Sequence, residues 1–196
     1  INIELYNKNI RIFEKFNTTK TIHSLDLLNN QIEILGQNAF DSLESLVYLK
    51  LTANKIYSIH LNTFSNLDNL CELWLNKNRI ELLSDRLFEN LKKLKLLSLT
   101  ENYLKFINFL TFYGLSELND LYLRNNQIKT IEKMSFSHFR NLTRHNFELD
   151  FQLIEHIEPE MFYGIDQVRH LYLKDNKLTV IPNKTFSKLK NLDGLN

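Results

Sequence analysis

Phenylalanine returns at a fixed step in this chain: Phe40, Phe64, Phe88, Phe112 and Phe136 are each 24 residues apart, and after one interval of 26 residues Phe162 and Phe186 resume the step. Asn30, Asn54, Asn78, Asn102 and Asn126 keep the same period. So do the pairs Leu25/Leu27, Leu49/Leu51, Leu73/Leu75, Leu97/Leu99 and Leu121/Leu123. Self-similarity at a period of this length points to stacked copies of one small unit, because a single unit cannot bury its own apolar face. The chain is therefore expected to form a solenoid built by one repeated coil.

Written out, the unit is L-x-x-L-x-L-x-x-N-x-I-x-x-I-x-x-x-x-F-x-x-L-x-x. The alternating L-x-L places both leucines on one face of a short strand, and stacking pairs each strand in parallel with the next at about 4.8 Å. The asparagine sits where the chain turns out of the strand. There its carboxamide can donate and accept, satisfying backbone groups of its own turn and its neighbour, and a ladder is expected through Asn30, Asn54, Asn78, Asn102, Asn126, Gln152 and Asn176. The phenylalanines fill the opposite side of the coil and stack on one another.

This pattern resembles the leucine-rich repeat family, in its 24-residue type found in extracellular animal proteins such as Toll-like receptors and insect secreted immune proteins. The resemblance covers nearly the whole chain. It implies an α/β-type horseshoe solenoid with a parallel concave β-sheet and mostly irregular, 3-10 or extended convex segments. One domain over 1–196 is expected, with repeats at about 3–21, 22–45, 46–69, 70–93, 94–117, 118–141, 142–167 and 168–191 and a partial unit at 192–196. The first turn is shortened, with Ile3, Leu5, Ile10, Phe13 and Phe16 in core slots and Lys8 in place of asparagine. Family members of this kind usually close their ends with cysteine-rich caps, and none occurs here, so an excerpt of a longer ectodomain, or ends capped by a partner, is expected.

The irregular stretch is "HNFELDFQLIEHI". Counting back from Phe162 puts Phe147 and Leu149 in the strand core pair, Gln152 in the asparagine slot and the two extra residues between Leu142 and Phe147. Gln152 carries the same amide on one more methylene, so it continues the ladder only if the backbone moves slightly outward. A local change of curvature is expected there, with Glu148 and Asp150 still facing the concave side.

Residues alternating with the leucines point out of the concave sheet. Tyr48, Trp74, Leu96, Tyr122 and Tyr172 put large amphipathic or apolar groups on that surface, where the core does not require them. Such side chains are enriched at binding hot spots. Around them stand Glu72, Asp120, Arg124, Glu148, Asp150 and Lys174, a mixed-charge rim able to set orientation. These residues, Lys174 as rim only, form the expected ligand-binding surface. Sheet surfaces also favour Tyr and Trp through cross-strand contacts, so the same pattern fits a purely structural reading.

Chemistry-bearing motifs are sparse. With 24 basic and 23 acidic residues interleaved, the net charge of +1 gives no reason to expect a nucleic-acid partner. No apolar run could cross a bilayer. Cys71 is the only cysteine, which excludes an internal disulfide and suggests a small buried hydrophobe. His23, His60, His138, His145, His156 and His170 show no metal-ligand spacing, and there is no nucleophile elbow or phosphate-cradling loop. Glu148 and Asp150 share one strand face, but an open sheet excludes water poorly. No enzyme activity, metal or cofactor is expected.

Asn17-Thr18-Thr19, Asn141-Leu142-Thr143 and Asn183-Lys184-Thr185 are N-glycosylation acceptor triplets, all in convex loops. They point to an extracellular chain, secreted or the ectodomain of a membrane protein. The expected function is non-enzymatic recognition of a protein or microbial ligand on the concave face, which the resemblance places in innate immunity or receptor signalling. Partners would be a protein ligand or another leucine-rich repeat chain, with dimerisation among the expected modes. The alternative is structural or adhesive, acting through association of repeat arcs.

Overall fold

A computed structural model of the chain describes every residue except Glu14, Asn17, Asn141, Thr143, Arg144 and His145. In chain order the strands are β1 (Asn2–Glu4), β2 (Ile12–Phe13), β3 (Ser24–Asp26), β4 (Ile34–Leu35), β5 (Tyr48–Lys50), β6 (Ser58–Ile59), β7 (Glu72–Trp74), β8 (Leu96–Ser98), β9 (Phe106–Ile107), β10 (Asp120–Tyr122), β11 (Thr130–Ile131), β12 (Asn146–Glu148), β13 (His170–Tyr172) and β14 (Gly194–Leu195). Every pairing among them is parallel. The concave side is one sheet ordered β1-β3-β5-β7-β8-β10 and a second ordered β12-β13-β14, while β2-β4-β6 and β9-β11 form short ribbons on the flank that follows the amide turn. The return path is made of turns and one 3-10 helix, Pro159–Phe162. Among the described residues no helix is long and apolar enough to cross a membrane.

The register follows from the leucines. Leu25 pairs with Leu49, Leu49 with Leu73, Leu73 with Leu97 and Leu97 with Leu121, so one apolar column runs under the sheet. The residue before each ladder amide bends the chain out of the strand with a left-handed backbone: Asn29, Ala53, Lys77, Glu101, Asn125, Phe151 and Asp175 all have φ between 53° and 58°. Few non-glycine residues adopt this region, and here the stacked neighbours hold it in place.

The carboxamides close what that bend leaves open. Asn78 donates from Nδ2 to the Leu51 carbonyl at 3.0 Å and the Leu75 carbonyl at 2.9 Å, and its Oδ1 accepts the Ile56 N–H at 3.0 Å. Asn54, Asn102 and Asn176 repeat the arrangement one period apart. At the short first turn the Asn30 Oδ1 accepts both the Lys8 and the Ile10 N–H at 3.0 Å.

On the other side of the core Phe13, Phe40, Phe64 and Phe88 stack in sequence, with Phe64 and Phe88 centred 6.2 Å apart. Phe112 continues onto Phe136, and Phe162 onto Phe186. Two residues past Phe112, Gly114 has φ +97°, and a Cβ there would lie 2.5 Å from the Glu89 carbonyl oxygen. Only glycine lets adjacent turns approach that closely.

The stretched turn keeps the ladder and loses the sheet. Gln152 is buried; its Nε2 donates to the Leu123 carbonyl at 2.7 Å and its Oε1 accepts the Ile128 N–H at 3.2 Å, spanning the two-residue excess with its extra methylene. No strand pairing joins β10 to β12, and the two concave sheets part at this turn. Elsewhere the first residue after the strand donates to the next turn, as Leu99 does to the Tyr122 carbonyl and Leu149 to the Tyr172 carbonyl; no such bond runs from Leu123 to Glu148 among the described residues. Leu121 is accordingly 7% exposed where Leu97 is 0%. Phe147 takes the strand leucine slot and packs edge-on to Phe136, with ring centroids 5.0 Å apart. At this turn the concave sheet divides.

Two substitutions test these assignments by urea denaturation. Asn78→Ala leaves three buried backbone groups without their acceptor or donor and should cost about 3–5 kcal/mol, at roughly 1–3 kcal/mol per group with partial relaxation. Gly114→Ala should cost more than about 2 kcal/mol, because the methyl group meets backbone that cannot retreat.

Candidate concave binding surface

Strand alternation sends the middle residue of each three-residue strand into the core and its two neighbours outward, so β5, β7, β8 and β10 present Tyr48, Lys50, Glu72, Trp74, Leu96, Ser98, Asp120 and Tyr122 on one face. The register orders them in rows. Tyr48 stands beside Glu72, Glu72 beside Leu96 and Leu96 beside Asp120; Lys50 stands beside Trp74, and Ser98 lies between Trp74 and Tyr122. Ser98 is only 3% exposed although it faces outward, since the large rings on both neighbouring strands enclose it.

Trp74 is fixed in this setting: its indole Nε1 donates to a Glu72 carboxylate oxygen at 3.1 Å, two residues away on the same face. The bond orients the ring and leaves its face available for a contact. Tyr48 is 44% exposed, Trp74, Leu96 and Tyr122 are half-buried, and Lys50 lies 3.9 Å from Asp26 on the adjacent strand. The patch therefore interleaves large apolar side chains with carboxylates.

The structure gathers Tyr48, Glu72, Trp74, Leu96, Asp120 and Tyr122 on the six-stranded sheet and places Glu148 and Tyr172, neighbours in register, on the three-stranded one. Arg124 follows β10, and its guanidinium stacks over the Phe151 ring with Cζ 4.9 Å from the centroid. Phe151 is a contact that reading the outward columns misses. The signal is an aromatic side chain in a slot held by asparagine, lysine, glutamate, aspartate or alanine in the other turns.

Asp150 requires a correction. Expected among the ligand-facing residues, it is 8% exposed, and its Oδ1 accepts the Lys174 backbone N–H at 2.8 Å. The carboxylate is engaged in joining its turn to the next. Cys71, expected to be buried, is half-buried, with Sγ 3.6 Å from the Asn69 carbonyl. Of the acceptor triplets, Asn17 and Asn141 lie outside the described residues. Asn183 is exposed, and the Thr185 hydroxyl of the same triplet donates to the Pro182 carbonyl at 2.6 Å.

Raised lysine pKa values occur away from this surface: Lys133 is held up by its hydrogen bond to Glu158 and by the nearby charges of Glu158 and Glu160, and Lys188 by its hydrogen bond to Tyr163. Among the described residues no group of three or more metal-ligating side chains converges.

Comparison with known proteins agrees with this geometry. The family model for BspA-type leucine-rich repeat regions matches residues 77–193 in six copies, and a second leucine-rich repeat model matches residues 45–104. No curated protein matches at the sequence level. Among solved structures, the crystal structure of a TLR13–ssRNA13 complex superposes with a TM-score of 0.78 at 30% identity, covering 89% of this chain and 25% of that one. The Toll–Spatzle complex of Drosophila, described as a hub in development and innate immunity, superposes at 0.68 with 23% identity, covering 88% of this chain and 26% of that one. The chain thus spans about a quarter of the length of each of these two chains.

The assignment of Asp150 to turn stacking predicts that Asp150→Ala lowers stability by about 1–2 kcal/mol in urea denaturation, the cost of a charged acceptor removed from a backbone N–H. A surface carboxylate would change it by less than about 0.5 kcal/mol.

Proposed function

We propose that this chain, which belongs to the leucine-rich repeat family, is a non-enzymatic recognition module that binds a protein ligand on the concave face of β5, β7, β8 and β10. The carrying observation is the row of Trp74, Ser98 and Tyr122, with Tyr48 and Leu96 beside it: large side chains at the centre of a sheet whose core is already filled. A sheet held by a continuous ladder loses little ordering entropy on binding, so contact energy goes into affinity. Trp and Tyr on such a platform supply desolvated anchors, and the carboxylates between them set orientation.

The chemistry favours a protein over a polyanion. Glu72, Asp120 and Glu148 lie among the aromatic residues, and a nucleic-acid backbone laid along the same rows would meet these carboxylates. The TLR13 structure contains single-stranded RNA and the Toll structure contains Spatzle; of the two ligand classes, the second fits this surface. An extracellular setting and a role in innate immunity or receptor signalling follow as parts of the same proposal, supported by likeness to those two structures and by the exposed acceptor at Asn183.

Trp74 is the chain's single tryptophan. Incorporating 5-fluorotryptophan therefore gives one fluorine resonance at the centre of the surface. Titration with secreted protein candidates should shift that resonance for a true ligand, whereas single-stranded RNA at the same concentrations should not. Tyr48→Ala combined with Tyr122→Ala should weaken the bound state at least tenfold, about 1.4 kcal/mol. Unchanged affinity in this variant, or a saturable response to RNA alone, contradicts the reading.

A further inference from the structure

Two positions of the return path recur once per turn, and together they single out one place. Two residues past the stacked phenylalanine, glycine occurs only at Gly114 and Gly164. Four residues past it, successive turns carry Glu44, Asp68, Lys92, Ser116, Arg140, Asp166 and Lys190. Gly114 lets its turn sit against the backbone of Glu89, and a groove of about 370 Å³ opens over it. Gly114 and Ser116 form the floor, Asn90 and Lys92 of the preceding turn one wall, and His138 and Arg140 of the following turn the other.

The groove carries donors and positive charge that the fold does not use. Lys92 and Arg140 flank a short neutral side chain, and their separation of two turns, about 10 Å at strand spacing, is one that long side chains close from both sides. Among the described residues neither has a carboxylate partner, and the Ser116 hydroxyl and the Asn90 carboxamide make no hydrogen bond. Glu89, the one carboxylate in the lining, lies 3.6 Å from the Arg86 guanidinium, which itself covers the Tyr113 ring at 4.4 Å. Glu117 follows Ser116 in the chain but is not part of the lining. The other wall and floor groups are engaged: His138 Nε2 lies 2.9 Å from the Phe109 carbonyl oxygen, and the Ser137 hydroxyl donates to the Met134 carbonyl at 2.7 Å. At the second glycine the column differs, because Asp166 stands between Arg140 and Lys190 where Ser116 stands between Lys92 and Arg140. A central carboxylate there neutralises the pair; at Gly114 nothing does.

We propose that this groove binds a tetrahedral oxyanion, a sulfate or phosphate monoester borne on a larger ligand, with Lys92 and Arg140 supplying charge and Ser116 and Asn90 neutral donors. Arg140 offers paired N–H groups to two ester oxygens, and Lys92 a point charge to another. The donors come from both walls and the floor, a set that the three oxygens of such an ester meet and the two of a carboxylate do not. The groove lies on the return path, so it is separate from the concave rows and leaves them open to another ligand.

Calorimetric titration of the 196-residue chain at physiological ionic strength tests this assignment with a heparin-derived hexasaccharide, the same hexasaccharide desulfated, and inositol hexakisphosphate. The chain is produced without glycans, since the acceptor Asn141 follows Arg140. The sulfated or the phosphorylated probe should bind saturably and the desulfated one should not; which ester binds identifies its source. Lys92→Gln combined with Arg140→Gln should weaken binding about tenfold or more, the loss of two charge-assisted contacts. Ser116→Asp, which recreates the Gly164 arrangement, should weaken it as much, in both cases at unchanged melting temperature. Lys188→Gln combined with Lys190→Gln removes equal charge from the last turn and should change affinity less than about twofold, because screening isolates it. Trp74→Ala with Tyr122→Ala should leave binding intact, separating this outcome from the fate of the concave reading. Binding of neither ester, equal binding of the desulfated probe, groove variants that bind like the parent, or an equal loss on changing Lys188 and Lys190 or Trp74 and Tyr122 would each overturn the proposal.

Discussion

A buried carboxamide in each turn is what the rest of this molecule depends on. Strands of three residues cannot hold a sheet by themselves, and the bend that ends each strand turns its carbonyl and the following N–H groups inward, away from water. Leaving such groups without partners costs about 1–3 kcal/mol each. Asn54, Asn78 and Asn102 supply all three bonds from one side chain, two donated and one accepted, within their own turn and to the one before. Leucine and phenylalanine columns then add apolar burial to a backbone already closed by its amides.

Gln152 shows how far this constraint tolerates variation. Two added residues change the distance the amide must cover, and one added methylene recovers it, with the Ile128 bond lengthening only to 3.2 Å. The price is taken from the sheet, which divides between β10 and β12 while the core continues beneath. The ladder and the sheet are therefore separable, and the ladder is the one retained. For function this places Tyr48, Trp74 and Tyr122 on one continuous sheet and Tyr172 on the next, with Arg124 and Phe151 stacked at the junction.

Much of this was legible in the sequence because a period in the residues becomes a period in space. The strand core pairs, the ladder slots including Gln152, and the outward columns all follow from counting. What counting does not reveal is how neighbours in space use a side chain. Asp150 occupies an outward column, yet it turns to accept the Lys174 N–H; Ser98 occupies another, yet it is enclosed between Trp74 and Tyr122. Phe151 is not visible to counting because its slot is read as part of the bend. The parting of the sheets is likewise a question of whether two strands come within hydrogen-bonding distance, which the spacing of Leu142 and Phe147 does not decide.

The central claim is that one amide ladder runs unbroken through the stretched turn and carries a rigid concave surface. Amide hydrogen exchange at Ile32, Ile56, Ile80, Leu104, Ile128 and Ile154, whose N–H groups donate to the ladder carboxamides, addresses it directly. The account predicts slow exchange at all six, with Ile128 protected to within about tenfold of its neighbours, a difference of about 1.4 kcal/mol in opening free energy. Exchange at Ile128 as fast as that of an exposed loop, with the other five protected, would show that the ladder breaks where the sheets part.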